Sequence, residues 1–310
     1  MKNKNIKKLL IIIIYVLYSI YLNYKCEIII FSKNLKAKKP KISVIMPIYN
    51  GGRYLNHSLK SVINQKFKDL EIVIIDDNSS DDSLKIIESY IKKDKRIKLI
   101  KNKKNRRILF SKSLATLNSN GKYIFEIDQD DMILTDNALD ILYNESEKYD
   151  LDLLHFKFFK GKNITKTPKI DISVENINIE VQPKLKLNQF KKNIYLLWGN
   201  LIKSDLYKKV IYNLWPIIIN YKIIFQEDFL ITFFILIFAQ KSKTTSNKFY
   251  YNFKNAKQIS HCFGHNPELY LSIIFAGIIF YDYYIDSFPD DFQIINNNNI
   301  HKLYKICRND

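Results

Sequence analysis

Between residues 41 and 127, short apolar runs alternate with amphipathic ones, and few folds accept that order. Lys41–Ile48 (KISVIMPI) and Glu71–Ile75 (EIVII) are β-branched and almost wholly apolar, the pattern of strands buried on both faces. Ile97–Ile100 reads as a third, short strand. In Tyr123–Ile127, Tyr123, Phe125 and Ile127 alternate with Ile124 and Glu126, which predicts a fourth. The intervening segments, Tyr54–Phe67, Ser83–Ile91 and Ile108–Leu117, are predicted helices. Leu55, Leu59, Val62 and Ile63, then Leu84, Ile87 and Ile91, recur at helical spacing. Right-handed crossovers turn such an alternation into an α/β fold, a mostly parallel sheet flanked by helices. A chain that is 47% hydrophobic and 14% aromatic can fill that core, so global disorder is excluded.

Each strand but the third ends in residues that carry chemistry: Tyr49-Asn50, Asp76-Asp77 and Asp128-Gln129-Asp130. In an open α/β sheet the C-terminal strand edge is where ligands bind, so the three sets are expected to converge. The acidic set closes the segment Gly121-Lys122-Tyr123-Ile124-Phe125-Glu126-Ile127-Asp128-Gln129-Asp130-Asp131. Carboxylates this close repel one another unless a cation lies between them. Hard oxygen ligands select Mg²⁺ or Mn²⁺, ions usually shared with substrate phosphates. The structural alternative is a solvated acidic turn or a helix N-cap at Asp131. Neither GxGxxG after the first strand nor GxxxxGK[ST] is present.

Further along, Ala138–Tyr149 is a predicted helix and Leu151–Phe159 a strand. Lys160–Lys184 is polar and contains the sequon Asn163-Ile164-Thr165. Tyr195–Ile202 is apolar, and Ser204–Tyr212 reads as a short Ser-capped helix. Gln226-Glu227-Asp228 precedes Phe229–Ala239, an apolar run too short to cross a bilayer and so expected to be a buried helix. Its two leading carboxylates suit the helix dipole or a base near the sheet edge. Phe249–Phe253 is a late strand. Leu269–Tyr284 is helical and aromatic, followed by the polar Asn296–Asn299 and a short basic helix.

The net charge of +18 favours anionic partners, whether nucleotide phosphates, membrane surfaces or nucleic acid. No nucleic-acid recognition motif accompanies it, so nucleic acid is not an expected partner. Four of the cations, Lys2, Lys4, Lys7 and Lys8, precede the apolar run Leu9–Leu22 (LLIIIIYVLYSIYL). No small-x-small site follows it cleanly. The segment is therefore expected to be an uncleaved signal anchor making the protein membrane-associated and single-pass. Lysines flank both sides, which leaves its orientation open. Cys26, Cys262 and Cys307 have no CxxC spacing and suggest neither a zinc site nor a disulfide framework, although a single Cys262–Cys307 pair stays open.

With these segments in place the chain resembles a family 2 glycosyltransferase of the GT-A type. Ser43-Val44-Ile45-Met46-Pro47-Ile48-Tyr49-Asn50 resembles that family's opening strand with its P-x-Y-N. Ser58–Gln65 resembles the helix ending in Gln, and Glu71–Asp81 the E-I-I-V-D-D-x-S-x-D segment. Gly121–Asp131 resembles G-x-Y-x-x-x-x-D-x-D-D. Trp198–Tyr207 with Glu227-Asp228 resembles the acceptor-side "ED" region, and Tyr250-Tyr251-Asn252 with Ile259-Ser260 the strand after it. The resemblance runs from about Lys41 to about Ser260. One departure is Arg107, in Asn105-Arg106-Arg107, where many relatives carry Gly. Either the loop differs there or Arg107 reaches a diphosphate.

The resemblance implies roles. Pro47, Tyr49 and Asn50 border the nucleotide base, Asp77 accepts a hydrogen bond from it, and Asp128 lies near the ribose. Asp130 holds the Mg²⁺ or Mn²⁺ that bridges the diphosphate, with Asp131 supporting it. Asp228 is the general base and Glu227 is positional. The implied partners are a nucleotide-sugar donor, UDP being the commonest nucleoside, and a glycan, lipid or protein acceptor. The implied division is 1–39, anchor and linker; 40–160 and 161–260, the nucleotide-sugar (Rossmann-like) and acceptor halves of one domain; and 261–310, a helical extension. The competing reading is a non-catalytic member of the fold that binds a glycan or a membrane surface.

Overall fold

The computed structural model describes residues 39–162, 197–220 and 227–253. The N-terminal segment, the sequon, Tyr195, Gln226, Ile259-Ser260, the three cysteines and the 261–310 extension lie outside the described residues.

The described elements are, in order, β1 (Ile42–Ile48), α1 (Gly52–Ile63), β2 (Leu70–Asp76), α2 (Ser83–Ile91), β3 (Ile97–Lys101), α3 (Ile108–Asn118), β4 (Tyr123–Glu126), β5 (Met132–Ile133) and α4 (Ala138–Tyr149). Then come β6 (Leu153–Gly161), a 3-10 turn at Leu197–Gly199, β7 (Asn200–Lys203), α5 (Ser204–Asn220), α6 (Glu227–Phe238) and β8 (Ser242–Phe253). The strands form one eight-stranded sheet in the order β3-β2-β1-β4-β7-β6-β8-β5. The alternating first half gives the parallel block β3-β2-β1-β4, with Val44 opposite both Ile72 and Phe125. The second half is mixed: β7 runs antiparallel to β4 and β6, and β5 antiparallel to β8, while β6 and β8 are parallel.

Successive residues of β1 and β2 face opposite sides, and each side has its own core. Val44, Met46, Ile72, Ile74 and Phe125 pack with Leu55 and Leu59 of α1 and Leu142 of α4. Ile45, Val73, Ile75 and Ile124 pack with Leu109 of α3, Val210 and Leu214 of α5, and Ile231 and Ile235 of α6. The result is helix, sheet, helix, with β4 and β7 at the centre of the sheet.

Pro47 shapes the central edge. Ile127 N–H donates to the Ile45 carbonyl at 3.1 Å. The next rung of a parallel ladder would come from residue 47, and proline has no N–H to give. Strand β4 therefore leaves the sheet there and passes into the acidic turn.

Candidate active site

The acidic turn is held from three sides. The Asp131 N–H closes it on the Asp128 carbonyl at 3.1 Å. From α1, the Ser58 hydroxyl lies 2.8 Å from the Gln129 carbonyl and 2.6 Å from that of Asp131. From β8, Asn252 Nδ2 and the Phe253 N–H donate to the Asp131 carboxylate at 3.0 and 2.8 Å, and the Tyr250 hydroxyl accepts the Asp128 N–H at 3.1 Å. Asp131 is thus wholly buried, a fastener of the turn. Burial and the neighbouring Asp128 and Asp130 raise its carboxyl well above the usual range, against the pull of the Phe253 and Asn252 donors.

The three strand ends meet. Gln129 clamps the end of β1 reciprocally: its Oε1 accepts the Tyr49 N–H at 2.8 Å, and its Nε2 donates to the Tyr49 carbonyl at 3.1 Å. Gly51 makes room for this clamp, since a Cβ there would lie 2.7 Å from Gln129 Cδ. Asn50, at φ 50°, accepts the Ser80 N–H at 2.8 Å through its Oδ1 and so ties the β1 and β2 loops together. Pro47 is buried in β1, whereas Tyr49 is 47% exposed on the rim. Asp77 is buried. Its Oδ1 accepts from Asn102 Nδ2 at 2.7 Å and from the Arg106 N–H at 2.8 Å, and its Oδ2 from the Arg107 N–H at 2.9 Å. A carboxylate offers about four acceptor positions, so Asp77 keeps capacity for one more donor.

On the far side of β4 the first turn of α6 brings Glu227 and Asp228 to the same edge. Between them and the sheet lies Lys112 of α3, which is almost fully buried. Its Nζ is 2.7 Å from Glu126 Oε1, 2.5 Å from Asp228 Oδ1 and 3.3 Å from Glu227 Oε1. The Tyr207 hydroxyl of α5 donates to Glu126 Oε2 at 3.1 Å. Burial pushes Glu126 and Glu227 upward, against the pull of Lys112 that keeps them charged. Burial, with Asp228 and Asp130 nearby, also pushes Asp128 upward, again opposed by Lys112.

Sequence reasoning misses Lys112 and the parts that Glu126 and Tyr250 play here, and it places Gln129 at this edge without its clamp on Tyr49. Lys112 had a signal: it stands three residues after Leu109 and four before Thr116, on the buried stripe of α3.

One ammonium faces four carboxylates here, with Asp130 beyond, so the edge carries an excess of negative charge. A cation is what such a set lacks. Among the described residues no three metal-binding side chains are grouped closely enough to enclose an ion. A cation shared with a diphosphate needs only one or two protein carboxylates. Asp130 has the chemistry for that arrangement, while the Asp131 oxygens are already engaged by β8.

Residues 43–233 match the family described as Glycosyl transferase family 2. The chain belongs to that family. The glycosyltransferases it resembles include a cholesterol galactosyltransferase of Borreliella burgdorferi, 28% identical over 72% of this chain and 62% of the relative. Another is the GalNAc(5)-diNAcBac-PP-undecaprenol beta-1,3-glucosyltransferase of Campylobacter jejuni, 30% identical over 53% of this chain and 60% of that one. Among solved structures, S. aureus TarS 1–349 in complex with UDP-GlcNAc superposes with a TM-score of 0.59 at 22% identity, covering 77% of this chain and 66% of that one. That likeness shows the shared fold, a GT-A-like α/β sheet with helices. The chain spans 25% to 62% of the curated relatives' own lengths.

Proposed function

We propose that this glycosyltransferase moves a sugar from a nucleoside-diphosphate sugar, a UDP-sugar in our reading, to an acceptor hydroxyl, inverting the anomeric centre. The observation that carries the reading is the meeting of two carboxylate sets at one edge: Asp128 and Asp130 from the end of β4, and Glu227 and Asp228 from the start of α6. A donor seated against the first set would present its anomeric carbon toward the second.

Tyr49, Pro47 and Asn50 border the base, Asp77 accepts a hydrogen bond from it through its remaining capacity, and Asp128 faces the ribose. Mg²⁺ or Mn²⁺ at Asp130 would neutralise charge on the departing diphosphate. Asp228 accepts the proton of the acceptor hydroxyl as that oxygen attacks the anomeric carbon from the face opposite the leaving group, so one displacement inverts it. Glu227 holds the first turn of α6 against Lys112. We further propose that the acceptor is borne at a membrane, to which the N-terminal segment anchors the chain. The names of the two curated relatives, which refer to cholesterol and to undecaprenol, support that choice.

The test is a panel of UDP-sugars offered to the full chain with Mn²⁺ or Mg²⁺, scoring UDP release. Asp228→Asn is expected to lower turnover about 10²- to 10⁴-fold while keeping UDP binding. Loss of a helix-capping charge alone would cost roughly 1 kcal/mol of stability and little turnover per folded molecule. Turnover within a few-fold of wild type would return Asp228 to that lesser role.

A further inference from the structure

Lys112 is an unusual side chain to find in the middle of α3. It is 2% exposed, on the face that otherwise carries Leu109, Ala115 and Thr116. Burying an ammonium is costly unless each of its protons has a partner. An ammonium has three N–H groups; this one donates to Asp228 and Glu227 and forms an ion pair with Glu126 at 2.7 Å. Glu126 ends β4, the strand that leads into the acidic turn, and the other two open α6. One cation therefore joins the donor-side strand to the helix that carries the base. The contact takes Oδ1 of Asp228, so Oδ2 is the oxygen that would receive the acceptor's proton.

We infer that Lys112 is a positioning residue for transfer: it fixes the Asp228 carboxylate over the donor edge. The inference rests on the reading of Asp228 as the base. The competing role is to neutralise Glu126 inside the core, with no consequence for chemistry. Around Asp228 the charged and titratable groups are Lys112 from α3, Glu126 and Asp128 from the β4 end, Tyr207 from α5 and Glu227 from its own helix. Among the described residues Lys112 is the cation in this set, and its N–H donates to Asp228 Oδ1.

The experiment uses the full chain, the UDP-sugar selected by the panel, and UDP itself as the binding probe. Lys112→Met is expected to lower kcat on the order of 10²-fold, the usual cost of displacing a reacting group by about 1 Å, with donor KM and UDP affinity within a few-fold of wild type. Lys112→Met combined with Glu126→Gln removes both buried charges. We expect it to regain the melting temperature lost by the single variant and to stay slow. Recovery of kcat in the double variant would show that neutralising Glu126 was the whole role, and would overturn the inference. So would a single variant within three-fold of wild type, or loss of UDP binding in both variants. Asp228→Asn runs in parallel. If it collapses turnover while Lys112→Met does not, the inference alone fails; if it leaves turnover intact, the base assignment fails and takes the inference with it.

Discussion

Arg107 sits at φ 74° and ψ 167°, a region that glycine enters freely and side-chain-bearing residues rarely do. Its N–H, together with that of Arg106, is pinned to the buried Asp77 carboxylate, and those bonds hold the backbone there. The loop thus has a glycine-type conformation while carrying an arginine at the position of the departure noted in the sequence. Arg107→Gly is expected to stabilise the fold by about 1 kcal/mol, strain relief of roughly 1–3 kcal/mol offset by glycine's greater chain entropy. The check is a higher urea midpoint at unchanged slope; an unchanged midpoint would mean the conformation carries no strain. Arg107 also illustrates what was legible at this scale. Asp77, Asp128, Asp130 and Asp228 stood at the ends of readable elements. Gln129 and Lys112 act through partners 80 and 116 residues away, and no local pattern reports such pairings.

The strands' opposite ends are joined by one carboxylate. Glu71 of β2 accepts from the Ser43 hydroxyl of β1 at 2.6 Å, from Lys98 of β3, and from the Asn120 N–H just before β4. Burial pushes its pKa up, but those donors outweigh burial and hold it below its ordinary 4.5. An acid with a depressed folded pKa contributes its full stability above the unfolded value and loses it as pH falls through the folded one. Glu71→Gln is therefore expected to cost about 2 kcal/mol at pH 7, with the gap to wild type narrowing below about pH 4. Urea midpoints at both pH values decide this, and a gap independent of pH would refute it. At this scale the parallel block was readable because its strands are apolar. The late strand was foreseen only as Phe249–Phe253, yet β8 begins at Ser242. Its early inward positions are Lys243 and Thr245, so the alternation is invisible to hydropathy. Lys243 is accommodated by Glu145 at 2.7 Å and by the Tyr149 ring. The two-residue β5 exists through its pairing with β8. Helix α5 extends to Asn220, past the predicted end at Tyr212, because Leu214 and Ile218 continue its buried stripe.

For the molecule as a whole, we propose on the charge of +18 and the lysine-led apolar run at the start that the chain sits at a membrane surface. No helix among the described residues is long and apolar enough to cross a bilayer, and the lysine-led apolar run lies before residue 39, outside them. The expressed full chain is expected to stay with the membrane pellet through carbonate extraction, and its release into the soluble fraction would remove the anchor from the account. The fastening of Asp131 by β8 bears on how the protein is made. Its donors, Asn252 and Phe253, lie 121 and 122 residues downstream. At about 5–20 residues per second of synthesis, the ribosome adds them roughly ten seconds after the acidic turn. During that interval the first four strands are already available to pair, while the turn that they present still lacks its fastening. The acidic turn is thus synthesised near the middle of the described chain and is among the last parts to be finished.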